Sequence, residues 1–179
     1  SLEHAATIPE MWLTAYALSC KIGQVKQGQN VYINAGASSI GTALTQICAK
    51  LFKCNVYVSV SSQDKLNKCL SLGVKGGKLR TVERTQEAEA VEINKFTDGK
   101  LFDLVLDCVG PSETPFITNY ITTGGKWVLY GLLSGNTLSN STILGSVLRK
   151  RIRLEGFTLR AQPSEFKTDL ITGLQTDIL

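Results

Sequence analysis

Residues 31–51, VYINAGASSIGTALTQICAKL, constrain the fold more than any other stretch of the chain. A short apolar run with β-branched Val31 and Ile33 ends at Asn34 and turns through Ala35 to Gly41. It then becomes a segment in which Leu44, Ile47, Cys48 and Leu51 recur on one helical face. Strand, turn and helix in that order bring the free N–H groups and the positive dipole end of a helix to the mouth of the turn, an arrangement that suits a phosphate. A dinucleotide fingerprint sets glycine at the tight turn, at the closest approach of backbone to pyrophosphate, and where helix packs on strand. Gly36, Ser38 and Gly41 stand at those three places. The middle residue is serine, so the match is imperfect, and an ordinary strand-to-helix turn is the competing reading.

Composition narrows the class of chain that carries this turn. With 179 residues, 43% of them hydrophobic and 19% charged, the chain is expected to form one globular domain with a sizeable core. Its formal net charge of +4 is mild. The densest basic run, Arg149, Lys150, Arg151 and Arg153, is interleaved with apolar residues, which reads as a solvated helix end and strand rather than a nucleic-acid patch. No apolar run approaches the roughly 18 residues of a membrane helix and the N-terminus lacks a signal-peptide pattern, so no membrane partner is expected and the cytoplasm is the default location. The five cysteines (Cys20, Cys48, Cys54, Cys69, Cys108) form no C-x-x-C pair and read as reduced core residues. The lone histidine, His4, cannot by itself build a zinc site or a hydrolytic triad and is expected at the surface or in a cap. No metal ligands and no nucleophile–base constellation are visible, so any chemistry is expected from a bound cofactor.

In chain order, Thr7-Ile8-Pro9-Glu10 has capping-box spacing with proline in the first turn and predicts a helix from 8 to 23, ahead of the first strand. Such an opening suggests that chain precedes it. Val56 to Val60 is a second strand. Ser62 caps a helix from Gln63 to Leu72 that stops at Gly73. Lys78 to Thr81 is a short third strand and Glu83 to Phe96 a charged helix. Leu101 to Val109 is a strand buried on both faces. A helix from Glu113 to Ile121, a strand from Lys126 to Tyr130, a helix from Thr142 to Lys150 and a strand over 151–157 complete the pattern. The expectation is α/β: a doubly wound, parallel, six-stranded Rossmann-type sheet with helices on both faces.

The tip of the second strand indicates which dinucleotide the turn would hold. NAD-selective sites usually carry Asp or Glu about 20 residues beyond the glycine turn, to accept from the ribose 2′-hydroxyl. Here the tip reads Ser59-Val60-Ser61-Ser62, with Lys65 one turn into the helix and Asp64 expected to face outward. Small and basic groups favour a 2′-phosphate. A plain helix cap and solvated first turn is the alternative.

Several separated motifs, ATIPEMWLTAYAL, NAGASSIG, SSQDKL, LFDLVLDCVG and GGKWVLYGLLSG, in this order make nearly the whole chain resemble the quinone oxidoreductase (zeta-crystallin-like) branch of the medium-chain dehydrogenase/reductase superfamily. In that family this nucleotide-binding domain is flanked by a GroES-like catalytic domain, whose parts would precede Ser1 and follow Leu179. The resemblance implies that Ser38, Ser39, Ile40 and Gly41 bind the pyrophosphate, although a glycine is usual where this chain has Ser39. That position then has φ below zero or tolerates strain. It implies that Thr14 lies beside the nicotinamide, with back-bonding of its hydroxyl to its own helix as the alternative. It implies that Ser61 and Lys65 belong to the 2′-phosphate pocket, with the cap residue Ser62 a further cofactor-binding candidate beside them, and Arg80 stands where the family has an aromatic residue. Cys108-Val109-Gly110 and Tyr130-Gly131-Leu132 end the fourth and fifth strands, where their backbone would line the nicotinamide or simply close two turns.

The activity so implied is zinc-independent hydride transfer from NADPH to a quinone or related conjugated carbonyl. Enoyl or alkenal reduction on the same scaffold is the nearest alternative, and a cofactor- or nucleic-acid-binding protein with little turnover is another. No catalytic acid stands out. In the family two such edges pair about a two-fold axis, so the resemblance implies a homodimer through the edge strand 151–157, with the alternative that its alternating Arg and Glu blunt the edge against pairing.

Overall fold

Period-two alternation in four strands builds two hydrophobic layers at once. In the computed structural model, which describes residues 2–82, 85–138 and 142–178, the strands are β1 (Asn30–Ile33), β2 (Asn55–Val60), β3 (Gly76–Leu79), β4 (Phe102–Asp107), β5 (Ile121–Leu129) and β6 (Arg153–Gly156). They form one parallel sheet in the order β3-β2-β1-β4-β5-β6. Val31, Ile33, Val56, Val58, Val60, Leu104, Leu106 and Val128 face one side, where they meet the leading helix and helices α3 (Ser39–Gln46), α4 (Gln63–Ser71) and α8 (Ser164–Asp177). Tyr32, Tyr57, Val105 and Trp127 face the other, packed on α5 (Gln86–Thr97), α6 (Thr114–Tyr120) and α7 (Ile143–Lys150). Aromatic rings dominate that second layer: Tyr32 sits 4.8 Å from Phe116 and 5.4 Å from Phe102 between centroids. The Rossmann-type expectation is met, with burial on both faces explaining why β4 shows no polar side.

The strand order reverses between β1 and β4, and ligands of open α/β sheets bind in the crevice that opens there beyond the carboxyl ends. That crevice lies between the turn after β1 and the loops after β4 and β5.

Several boundaries differ from the sequence expectation. The leading helix begins at Leu2 rather than at residue 8. It runs as α1 (Leu2–Thr7), a wider π-type stretch (Ile8–Trp12), α2 (Leu13–Tyr16) and a second π-type stretch to Ile22. Thr7 has helical φ and ψ (−81°, −19°) and makes no capping bond, because residues upstream already continue the helix. The His4 side chain lies outside the described positions. β3 occupies 76–79 rather than 78–81, and Thr85 caps α5 through the Ala88 N–H. Residues 83 and 84, where the sequence places the start of that helix, lie outside the described residues. β5 starts at Ile121 because that residue already pairs with Phe102 across an irregular register. The edge strand is 153–156 rather than 151–157. Arg151 is the left-handed residue (φ 50°) that ends α7, and the Ile152 N–H closes that turn on Val147.

Helix α8 was not anticipated. It is held by Leu170 and Leu174 in the core, by the Tyr16 hydroxyl donating to Asp177 Oδ2 at 2.6 Å, and by Gly173, whose place a Cβ would contest at 2.5 Å from the Tyr16 oxygen. Burial, then the bond to Asp177, drives the Tyr16 phenol well above its ordinary pKa.

At the far end of the sheet Lys150 Nζ donates to the carbonyls of Thr118, Asn119 and Ile121 (2.7, 2.8 and 3.1 Å), which closes the C-terminus of α6. Lys150→Met keeps the stem and removes these bonds. It is expected to cost about 1 to 2 kcal/mol, read as a lower urea midpoint with unchanged slope.

Candidate dinucleotide-binding site

The turn after β1 is shaped by close approach. Ala35 takes a left-handed conformation (φ 51°) and its N–H donates to Ser59 Oγ (3.2 Å). The Gly36 N–H donates to the Ser59 carbonyl (2.9 Å), which presses the turn onto β2. A Cβ on Gly36 would stand 2.6 Å from Val58 Cβ, and one on Gly41 2.4 Å from the Ala35 carbonyl oxygen. Both glycines are therefore required by contact. Ser38 is extended (φ −69°, ψ 166°) and caps α3, its Oγ accepting from the Gly41 N–H at 3.1 Å. Ser39 opens the helix and is not among the residues with positive φ, so serine fits there without strain; the strained position is Ala35.

Two clefts flank this helix start. The first, about 220 Å³, is lined by Ala35, Ala37, Ser38, Val60, Ser61, Lys65 and Arg80. Lys65 Nζ donates to Ser61 Oγ at 2.8 Å, and Ser62 Oγ caps α4 by accepting from the Lys65 N–H. Arg80 follows β3 directly, its N–H donating to the Val60 carbonyl (2.8 Å), so the guanidinium arises beside the β2 tip. Among the described residues no carboxylate lines this cleft, and Asp64 is exposed on α4.

The second cleft, about 450 Å³, is lined by Thr14, Ile40, Tyr130 and the segment Phe157–Ala161, with Glu10 and Arg160 at its wall. Thr14 Oγ1 is buried with no hydrogen-bond partner among the described residues, and Tyr130 Oη is buried beside Cys108. The back-bonded alternative for Thr14 is thus not what the structure shows. Burial, then the neighbouring Cys108, holds the Tyr130 phenol well above its ordinary pKa. Burial also raises the Cys108 thiol, which reads as packing rather than as a reactive thiolate.

The remaining sequence candidates surround these clefts. Cys108 and Val109 are buried behind them. Gly110 (φ 84°) abuts Leu132, and Gly131 abuts Cys108, where a Cβ would meet the carbonyl oxygen at 2.9 Å. The ends of β4 and β5 are therefore closed by these glycines. Gly110 and Leu132 line a separate 150 Å³ cavity toward β6, away from the turn. Sequence reading missed Glu10 as a wall residue, the 157–161 segment, and three buried polar residues beneath the turn, Asn34, Ser59 and Asp107. The signal for Asp107 was a carboxylate closing an apolar strand. Burial raises its pKa while N–H donors from Gly110, Val109, Asn34 and Trp127 oppose that shift.

A parallel sheet in this order, with a glycine turn opening a helix at the switch point, defines a Rossmann-type domain of the nucleotide-binding class. The family model for the zinc-binding dehydrogenases matches residues 39–175, and the chain belongs to that family, within the medium-chain dehydrogenase/reductase superfamily. Among curated relatives, the mitochondrial enoyl-[acyl-carrier-protein] reductase of Mus musculus is 30% identical over 96% of this chain and 46% of its own length. That of Caenorhabditis elegans is 32% identical over 88% of the chain and 43% of its own length. Among solved structures, the quinone oxidoreductase of Thermus thermophilus, determined alone and with NADPH, superposes with a TM-score of 0.76 at 27% identity, covering 100% of this chain and 54% of that one. The chain thus spans about half the length of these relatives. Among the described residues no three His, Cys, Asp or Glu side chains come together in a way that could hold a metal ion, and no helix is long and apolar enough to cross a membrane.

Proposed function

We propose that this chain is the cofactor-binding part of an NADPH-dependent, zinc-independent oxidoreductase that delivers hydride to a quinone or related conjugated carbonyl. The observation that carries the reading is the pair of clefts on either side of one helix N-terminus. Among the described residues, one holds two cations and no carboxylate, and the other holds the buried Thr14 hydroxyl without a partner and the buried Tyr130 hydroxyl beside Cys108. This set fits the cofactor. Lys65, Arg80 and Ser61 would hold the 2′-phosphate, the turn from Gly36 to Gly41 would present the α3 N-terminus to the pyrophosphate, and Thr14 and Tyr130 would turn their hydroxyls to the carboxamide side. When bound, the cofactor supplies the hydride. The protein's part is to fix the ring against the wall formed by Ile40 and Phe157 and to exclude water.

The identity to mitochondrial enoyl reductases favours a second reading, reduction of an enoyl thioester or alkenal on the same scaffold. NADPH oxidation against a panel of quinones, 2-enoyl thioesters and alkenals separates the two. Quinone turnover is expected to lead. Turnover of enoyl thioesters alone would select the second reading, and binding without turnover would indicate a binding protein. Substrate-facing groups are expected from a flanking GroES-like domain. Residues 1–179 alone should therefore bind NADPH and turn over quinone poorly, and turnover equal to that of a longer relative would refute this. A cytoplasmic location is part of the same proposal, on sequence grounds.

We also propose a homodimer through β6. Its outer edge is unpaired among the described strands, and Leu144, Leu148 and Leu154 stand 79%, 78% and 47% exposed beside it. Sedimentation at tens of micromolar is expected to give a dimer that Leu148→Arg converts to monomer. A monomeric wild type would rule the assembly out.

A further inference from the structure

Asn34, at the end of β1, has no exposed surface. Its Oδ1 accepts from Ser59 Oγ at 2.6 Å, and its Nδ2 donates to Asp107 Oδ1 at 2.7 Å. Tyr32 Oη lies 2.7 Å from the same Oδ1 and 2.9 Å from Glu113 Oε2 and shares its proton between them, with Lys78 Nζ 2.8 Å from that carboxylate. Each partner of Asn34 continues to a loop at the site. Ser59 Oγ receives the N–H of left-handed Ala35, which opens the pyrophosphate turn. Asp107 Oδ1 receives the N–H groups of Val109 (2.8 Å) and Gly110 (3.1 Å), and Asp107 Oδ2 receives the Trp127 indole N–H at 3.1 Å.

This position demands a side chain with an acceptor on one side and a donor on the other. Aspartate would set a second carboxylate against Asp107, and an apolar residue would leave a hydroxyl and a carboxylate short of partners in a dry interior. The network sits at the switch point, directly under both loops, between the two hydrophobic layers of the sheet.

We propose that Asn34 is a positioning residue, one amide that sets the pyrophosphate turn and the 108–110 loop in a single register, so that nucleotide affinity depends on a group no ligand touches. The proposal rests on the nucleotide-binding reading above. Asn34 acts on the turn through Ser59, and Asp107 carries the same register to the second loop and to Trp127.

The test is an NADPH titration of wild type, Asn34→Ala, Ser59→Ala and the double variant, with the Trp127 indole N–H resonance as a second readout. Trp12→Phe leaves Trp127 as the single indole, and at 2% exposure Trp127 is out of reach of a ligand in the turn. Asn34→Ala is expected to bind NADPH about tenfold to hundredfold more weakly and Ser59→Ala about tenfold. The double variant should be no weaker than Asn34→Ala, since contacts within one network are not additive. Inorganic pyrophosphate, titrated in a Lys65→Ala/Arg80→Ala background so that the turn is the phosphate site left, should shift the Trp127 resonance and leave it unmoved when Ser59→Ala is added, a comparison that stands even if Asn34→Ala fails to fold. Losses that multiply, or no pyrophosphate-induced shift in that background while the wild type binds NADPH, overturn the proposal alone. A wild type that binds neither NADPH nor pyrophosphate overturns the nucleotide reading and this proposal together.

Discussion

Replacing Lys65 and Arg80 together by alanine is expected to weaken NADPH binding about a hundredfold and to change NADH binding by less than about twofold. The two cations and Ser61 form the wall of one cleft in which, among the described residues, no carboxylate stands to repel a 2′-phosphate or select a free 2′-hydroxyl. Charge-assisted hydrogen bonds contribute about 1.5 to 3 kcal/mol each. Both side chains are exposed, which moves each effect to the lower end, about tenfold per residue. Lys65 is held ready by its bond to Ser61, whereas among the described residues Arg80 is anchored through its backbone N–H to Val60, so Lys65→Ala should be the larger single loss. Because the site is solvated, the preference for NADPH should narrow as salt rises. Calorimetric titration of both cofactors at two ionic strengths decides the matter. A wild-type preference for NADH, or unaltered NADPH affinity in the double variant, means that this cleft is not a 2′-phosphate pocket.

Gly41→Ala is expected to destabilise the protein by about 3 kcal/mol and to cost NADPH binding more than tenfold in the folded molecules. The added methyl would stand 2.4 Å from the Ala35 carbonyl oxygen and 2.8 Å from the Gly36 carbonyl group, and backbone atoms cannot rotate aside. Overpacking usually costs about 1 to 3 kcal/mol, and the rigidity of the obstruction argues for the upper end. For a chain of this length that corresponds to a fall in Tm of about 6 to 12 °C. Relief requires α3 to withdraw from the turn, which carries the helix N-terminus away from the pyrophosphate. Ser39→Gly is the contrasting variant: the backbone there needs no glycine, so affinity should stay within about twofold. A Gly41→Ala protein with wild-type Tm and affinity would show that the turn and helix are not locked as described.

The element order was legible because its signals are local. Val31, Ile33, Val56, Val58 and Val60 alternate with period two, Leu44, Ile47 and Cys48 recur with helical period, and Ser62 and Gly73 punctuate the second helix. Those periods also imply the parallel crossovers, since each strand is followed by a helix. Helix α8 escaped notice because Leu170 and Leu174 are its only deeply buried side chains, and its place depends on Tyr16, about 160 residues away in the chain. The start of the leading helix was misplaced for a related reason: a capping-box spacing competes with continuing helix, and residues 2–7 continue it.

At the site, the sequence by itself determined the residue types: a glycine turn opening a helix, a second strand tip without a carboxylate, and a lysine one turn beyond it. It also determined the sheet class, because strand and helix periods follow from backbone geometry. Packing across the sheet settled that Arg80, from a different strand, joins Ser61 and Lys65 in one cleft, and that Thr14 and Tyr130, more than a hundred residues apart, bring buried hydroxyls to another. It likewise decided that the strained residue of the turn is Ala35 rather than Ser39, and that Asn34 meets Asp107. Proximity across a sheet depends on strand order and register, which are settled when both faces find layers to bury against, and no local stretch of chain encodes that outcome.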